Sequence, residues 1–389
     1  MSDTQKNWIW QQLDWPKFHW DEAVIQPLLR AVRLKQGVLL GRTGAVNDNI
    51  TLEASLDTLL QNIIASSAIE GEQLNAQSVR SSLAKRIGLH LNQSYPTTER
   101  SEGLAQMMLD AICNLDSPLS LGRLLQWHEW LFPNESMSLY SVRAGQLRGE
   151  EPMQVVSGRI DKPTVHYEAP PRDRLESELV KFITWFNQSL KEPTIDPLLR
   201  AAICHFWFVT LHPFEDGNGR ITRALTDLAL AQDDKQSIRL YAMSTTILAN
   251  RNEYYLKLEK SQRNTTNITS WLCWFLQTME NSLQTAIHKI DQTLAKSRFW
   301  QSFQDAELTK EQCKILNLMF DEGHKDFANG ISASQYKKIA KVSKATATRH
   351  LADLLEKGCI EKLPGGGRST RYQIASKFIK INFAIPTNV

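Results

Sequence analysis

The sequence predicts a mainly α-helical protein in three parts, and three observations carry that reading. Through most of the first 300 residues apolar side chains recur every three to four positions, the spacing of one helix face. One stretch, Met153 to Pro171, breaks the rhythm with two short β-prone runs around a turn-rich SGRIDKP. The last ninety or so residues then change character: three helical runs, a strand, a glycine-rich loop and a second strand.

Residues 1–20 are crowded with Trp and broken by Pro16, so they read as an irregular segment pinned by aromatic rings. Val24, Leu28, Ala31 and Val32 predict an amphipathic helix over 21–35. Leu52, Leu56, Leu59 and Ile63 line one face of a second helix starting near 51. That helix stops at Gly71, a residue suited to a left-handed C-cap. Helices follow at 75–88, 99–114 and 119–131, then a β-hairpin from Gln154–Val156 and Thr164–Tyr167, ended by Pro170 and Pro171. Two more helices come at 172–190 and 196–211. The second, LLRAAICHFWFVTL, is apolar on nearly every side and reads as the buried central helix. Helices at 220–232, 247–262 and 268–296 complete the middle. At the C-terminus LTKEQCKILNLMFDEG, SASQYKKIAKV and SKATATRHLADLLEKGCI precede EKLPGGGRSTRYQIA, the element order of a winged helix-turn-helix. The predicted domains are 1–98, helical; 99–296, a helical core with the hairpin; and 297–389, the winged helix.

Composition bounds the function without naming it. The 389 residues are 42% hydrophobic and 22% charged with a net charge of +3, ordinary for a soluble globular chain. No apolar run approaches the ~20 residues that span a bilayer, and MSDTQKNWIWQQLDW lacks the pattern of a signal peptide. Five cysteines, scattered and never spaced as CxxC, argue against a disulfide framework or a zinc site. The cytoplasm is the expected compartment, and a homodimer is one of the oligomeric states left open.

The chemistry concentrates in LHPFEDGNGRITR, Leu211 to Arg223. A buried helix ending at His212-Pro213 holds an imidazole in a fixed place. Gly217 and Gly219 lack Cβ atoms, so backbone N–H groups can approach an anion. The loop opens directly into a helix whose first-turn N–H groups are unpaired and whose dipole favours negative charge. Arg220 and Arg223 share one face of that helix and can fork onto phosphate oxygens. Asp216 would repel phosphates unless a cation lay between, and Mg²⁺ is the usual one. His212 is suited to taking a proton near neutral pH. Together these residues predict transfer of a nucleotidyl or phosphoryl group to something the histidine deprotonates.

The same residues, HPFEDGNGRITR at 212–223, resemble the Fic family signature H-x-F-x-[D/E]-G-N-G-R-x-x-R at every defining position. The resemblance extends over the helical core from about 100 to 290 and includes the hairpin. It implies that His212 deprotonates a Ser, Thr or Tyr hydroxyl on a target protein. Asp216 would hold the Mg²⁺ between the α- and β-phosphates of ATP, and Gly217, Asn218 and Gly219 would form the anion hole, with Asn218 also touching the α-phosphate. Arg220 would face the β-phosphate and Arg223 the γ-phosphate. Kinase members of the family carry Lys where this chain has Gly219, so AMP transfer is the implied reaction. Tyr255 and Gln262 are candidates for the adenine side. His205 reads as a core histidine.

SSAIEGE resembles the family's inhibitory motif [S/T]-x-x-x-E-[G/N], matched by Ser66, Glu70 and Gly71. The resemblance implies that Glu70 pairs with Arg223 and keeps the γ-phosphate from binding productively, or that it positions a water which removes AMP. An anion at a helix C-terminus is disfavoured by the dipole, by ~0.3–1 kcal/mol, unless a cation faces it. The hairpin, 154–167, would act as a flap that pairs with an extended target segment.

From Leu308 to Tyr372 there are twelve Lys and Arg against seven acids, a larger basic excess than the whole chain carries. The predicted recognition helix offers Lys344, Thr346, Thr348 and Arg349 opposite an apolar face, and the wing offers Arg368 and Arg371. DNA is therefore a candidate partner. The alternative to the enzyme is a DNA-binding regulator whose core senses nucleotide with little turnover.

Overall fold

Short polar side chains set where the helices begin. In the computed structural model, which describes residues 8–44, 48–89, 95–133, 142–159, 162–234, 240–263, 265–320, 330–364 and 370–379, Asp21 accepts a bond from the Ala23 N–H and starts α1 (Glu22–Thr43). Asn75 does the same for α3 (Ala76–Arg86), Thr98 for α4 (Glu99–Cys113) and Ser120 for α5 (Leu121–Leu131). Each cap satisfies an N–H that has no partner within its helix. Helix α2 (Asp48–Ile69) ends in a Schellman turn: Gly71, at φ +83°, donates to Ala68 O, and Glu72 donates to Ser67 O.

The hairpin is longer than the two β-prone runs, with β1 (Gln154–Arg159) antiparallel to β2 (Lys162–Glu168) and a bulge where the register slips between Val155 and Val156. Helix α6 (Arg172–Ser189) leads to α7 (Pro197–Leu211), capped by Asp196 and buried at every residue from Leu198 to Leu211. Helix α8 (Asn218–Asp234) packs along α7. The expected 247–262 helix is two, α9 (Met243–Ala249) and α10 (Arg251–Ser261), because Asn250 leaves helical geometry at φ −120°, ψ 33°. Helix α11 runs Thr269–Ser302.

Two expectations need correction. The first helix reaches Thr43 rather than stopping at 35. Its buried face is Ile25, Leu29, Val32, Gln36 and Leu39, one position round from the expected stripe, and Val24 points to solvent. Leu56, Leu59 and Ile63 of α2 are buried as expected.

The N-terminal segment has one 3-10 turn, Ile9–Gln11, and is held by rings. Trp8 meets Tyr167 of the hairpin edge-on at 5.3 Å, Trp10 Nε1 donates to Glu168 O, and Trp15 and Phe18 pack on Trp207. The aromatics thus brace the hairpin base and the central helix.

The chain forms two compact units, residues 1–286 and 287–389. Within the first, α2 packs on α3, α4, α8 and α9. The second contains α12 (Lys310–Phe320), α13 (Ala333–Ala340), α14 (Lys344–Glu356), the antiparallel pair β3 (Ile360–Lys362) and β4 (Tyr372–Ile374), and a last turn α15 (Ser376–Ile379). Its own core joins Phe299, Ile315, Leu316, Tyr336, Leu351 and Ile360. Among the described residues no helix is long and apolar enough to cross a membrane.

Candidate functional site

The loop between α7 and α8 sets an imidazole beside a helix N-terminus. His212 caps α7 in the left-handed conformation, φ 48° and ψ 58°, a costly state for a residue with a Cβ. Arg148 supports it. Its Nε donates to His212 O at 3.0 Å, its backbone N–H to Pro213 O at 3.0 Å, and its Nη2 to Pro170 O. The imidazole Nδ1 donates to Val209 O at 3.1 Å, which leaves Nε2 as a proton acceptor. Burial pushes the His212 pKa below its ordinary value against the Val209 bond, so the ring is neutral at neutral pH.

The rest of the loop is closed by its own side chains. Asn218 accepts from the Phe214 N–H at 2.9 Å and donates to Phe214 O at 2.8 Å. Its amide is thereby used on the loop, and what it offers an anion is its main-chain N–H at the start of α8. Gly217 sits at φ +81°, and a Cβ there would come within 2.9 Å of the Phe132 ring. His128 stacks on Phe214 at 4.2 Å. Its Nδ1 accepts from the Gly145 N–H, so its Nε2 donates to Asp216 O at 3.2 Å. Burial pushes His128 down to about 4, which keeps it neutral in that role.

Two buried arginines on α8 meet two acids from the end of α2. Arg223, 3% exposed, donates Nε to Ser66 Oγ, and Nη2 to Ser66 O and to Glu70 Oε1, each at 2.8 Å. Arg220, 4% exposed, donates Nη1 to Glu72 Oε2 at 2.7 Å and Nη2 to Asp216 Oδ2 at 3.3 Å. Glu72 also accepts from Arg100 at 2.8 Å, and both Arg100 and Arg220 stand over the Phe132 ring at 5.1 Å. The left-handed turn at Gly71 delivers both carboxylates. Burial pushes the Glu70 pKa up, but Arg223 and Arg220 more than offset this, so it lies below the ordinary value. Arg220 Nε and Arg223 Nη1 are buried with no hydrogen-bond partner among the described residues. Such orphan donors mark a place for further acceptor oxygens.

A cavity of about 570 Å³ opens on this loop. His212, Asp216, Asn218 and Gly219 line one side, Tyr255 and Gln262 of the α10 region another, and Val155 to Ser157 of the hairpin a third. Glu70 projects into it, with its second oxygen accepting from Tyr255 OH at 3.2 Å. Gly219 is pressed against that carboxylate: a Cβ there would lie 1.9 Å from Glu70 Oε1. Gln262 is buried and donates to Thr210 Oγ1 at 3.2 Å. The Asp216 side chain is 57% exposed, and Oδ1 accepts its neighbour's N–H at 2.5 Å. Among the described residues no group of three His, Cys, Asp or Glu gathers that would hold a metal without help from a ligand. His205 is a core histidine, bonded to Thr226 and Tyr254 and pushed down to about 3 by burial.

Sequence reasoning missed Arg148, His128 and Arg100, none of which lies in a motif; only their contacts reveal them. In the second unit Lys344, Thr348 and Arg349 are exposed on α14, whereas Thr346 is half-buried beside the Ser343 cap. Arg371 donates to Gly330 O at 2.9 Å, so its guanidinium is committed to its own unit. Arg368 lies outside the described residues.

Comparison with known proteins is consistent with this geometry. Residues 8–89 match a domain of unknown function, DUF4172, and residues 118–230 match the Fic/DOC family. The protein adenylyltransferase fic-1 of Caenorhabditis elegans is 27% identical over 194 residues, 49% of this chain and 34% of that protein. The uridine 5'-monophosphate transferase of Xanthomonas campestris pv. campestris (strain 8004) is 29% identical over 118 residues, 29% of this chain and 21% of that protein. The chain thus matches about a third or less of these relatives' length. A Fic family protein from Desulfovibrio desulfuricans G20 shares the fold, with a TM-score of 0.52 at 19% identity over 92% of this chain and 98% of that one. The imidazole, glycine loop and paired arginines lie inside the matched segment, and this mainly helical chain carries a Fic/DOC family domain.

Proposed function

We propose that this protein transfers AMP from ATP to a Ser, Thr or Tyr hydroxyl of a target protein, and that Glu70 holds it inactive. One observation carries the reading: a neutral imidazole with its acceptor nitrogen free stands beside a helix N-terminus with two buried arginines that have orphan donors. The target hydroxyl gives its proton to His212 Nε2, its oxygen bonds to the α-phosphorus, and pyrophosphate leaves. The α8 amides and Arg220 face charge developing on the phosphates, and Arg223, once released from Glu70, faces the last of them. Asp216 suits Mg²⁺, because a single half-exposed carboxylate at the cavity mouth completes a coordination shell only together with phosphate oxygens. The ion, when bound, neutralises charge between those groups.

Adenylyltransferase relatives support AMP as the transferred group, while the uridylyl relative makes the base a point to test. Incubation with α-labelled ATP or UTP and Mg²⁺ separates the cases, using wild type, Glu70→Gly and His212→Ala. Label carried from ATP to other proteins of a lysate, rising in Glu70→Gly and disappearing in His212→Ala, is the expected result. Label absent from every form would overturn the transfer reading. Removal of AMP from a modified target, with Glu70 holding the water, is the alternative use of the same carboxylate.

The hairpin edge suits main-chain pairing with an extended target segment. We read residues 1–98, 99–296 and 297–389 as regulatory, catalytic and winged-helix domains. The exposed Lys344 and Arg349 on α14 support DNA as the partner of the last. Absence of a gel shift with duplex DNA would reject that partner, and a shift unchanged by Lys344→Ala with Arg349→Ala would reject the α14 surface.

A further inference from the structure

On the hairpin, a serine faces an imidazole. Ser157 Oγ lies 2.6 Å from His166 Nε2, and His166 Nδ1 lies 2.8 Å from Glu259 Oε2 on α10. Glu259 is itself held, since Arg263 Nη2 donates to its other oxygen at 2.6 Å and Arg263 stands over the Trp8 ring at 5.4 Å. A carboxylate accepts, so Nδ1 carries the proton and the Nε2 lone pair faces the hydroxyl. Serine to imidazole to carboxylate is the arrangement that activates an oxygen nucleophile.

The local backbone favours this contact. Ser157 pairs with Thr164, and His166 is the next-but-one residue, a diagonal neighbour across the ladder. The register then runs Val156↔Val165 and Val155↔Tyr167, which makes His166 the extra residue of the bulge. Bulges re-aim side chains and recur beside active sites. Ser157, His166 and Glu259 all line the cavity that His212 lines.

We propose that Ser157 is an acceptor of the nucleotidyl group in cis, with His166 as its base and Glu259 as the positioning residue. This rests on the nucleotidyl-transfer reading above. Ser157 Oγ gives its proton to His166 Nε2 and bonds to the α-phosphorus of a nucleoside triphosphate in the shared cavity. The bond from that phosphorus to the β-phosphate bridging oxygen breaks, pyrophosphate leaves with the electron pair, and a phosphodiester remains on Ser157. A bulky anion on the hairpin then lies across the strand edge offered to a target, so the modification limits transfer in trans.

The test uses the full chain with α-labelled ATP and Mg²⁺, in wild-type and Glu70→Gly forms, with the labelled peptide identified by mass spectrometry. Label on Ser157 is expected, with a rate constant unchanged over a hundredfold range of protein concentration. His166→Gln is expected to slow it about a hundredfold. Glu259→Ala slows it too, and Glu259→Asp recovers part of the loss. Labelling confined to other residues, a rate that scales with protein concentration, or labelling of Ser157 that survives His166→Gln would overturn the proposal while His212-dependent pyrophosphate release leaves the transfer reading standing. No pyrophosphate release from any form would remove both.

Discussion

Arg223 Nη2 and Glu70 Oε1 lie 2.8 Å apart, and the same guanidinium is held by the hydroxyl and the carbonyl of Ser66. A buried cation of α8 is thus occupied by an acid from the end of α2. The arginine is almost wholly buried, and a single charge-assisted bond joins it to the carboxylate. A ligand that needs Arg223 Nη2 must displace Glu70 first.

Glu70→Gly is accordingly expected to raise nucleotidyl transfer at least tenfold, since releasing a charge-assisted contact of about 1.5–3 kcal/mol corresponds to that factor or more. Label transfer from ATP measures it. Equal rates in the two forms would show that the contact does not govern activity.

Glu72 has a different weight. It bridges Arg220 and Arg100, and its removal leaves Arg220 with one long partner. Glu72→Ala is expected to cost about 1–3 kcal/mol through a buried, under-partnered guanidinium. A thermal midpoint lowered by several degrees, partly restored by added triphosphate, is the outcome to look for. An unshifted midpoint would count against the network.

Gly219 and Glu70 compete for one space. A methyl at Gly219 would lie 1.9 Å from Glu70 Oε1, so Gly219→Ala must push the carboxylate aside. Its cost in stability is expected to vanish in a Glu70→Gly background, a coupling of about 1 kcal/mol or more by double-mutant cycle. Strict additivity in urea unfolding would rule out the clash.

Acid sensitivity follows from His205. Burial holds it at about 3, against 6.5 for an exposed histidine, so below pH 6.5 the unfolded chain binds a proton that the native one refuses. Stability is therefore complete above pH 6.5 and falls on acidification, by about 1.4 kcal/mol per pH unit from this residue. His205→Gln should flatten the slope of urea midpoints between pH 6 and 4.5 by that amount. An unchanged slope would mean the ring is already charged.

Much of this molecule could be read from one dimension. The fourteen-residue apolar run from Leu198 determines a buried helix whatever surrounds it, and residues 212–223 carry a loop whose chemistry is local: a fixed imidazole, two glycines, a helix start and two arginines one turn apart. Ser66, Glu70 and Gly71 were legible as a motif, but that Glu72 reaches Arg220 was not. The Schellman turn sends two acids in related directions, and which arginine each meets depends on how α2 packs on α8. Contacts that join distant parts of the chain leave no periodic or compositional trace. Arg148 braces the backbone of His212 from 64 residues away, His128 steadies Asp216 from 88, and Glu259 meets the hairpin from 93. Even the phase of the first helix was misjudged by one position, because its stripe is wide enough to be drawn either way until a partner surface selects the buried side. Sequence alone determined most of the helices and the glycine loop at 212–223, since both arise from neighbours along the chain. Tertiary packing decided which acids meet the two arginines of α8, since those pairs depend on groups that only folding brings within 3 Å.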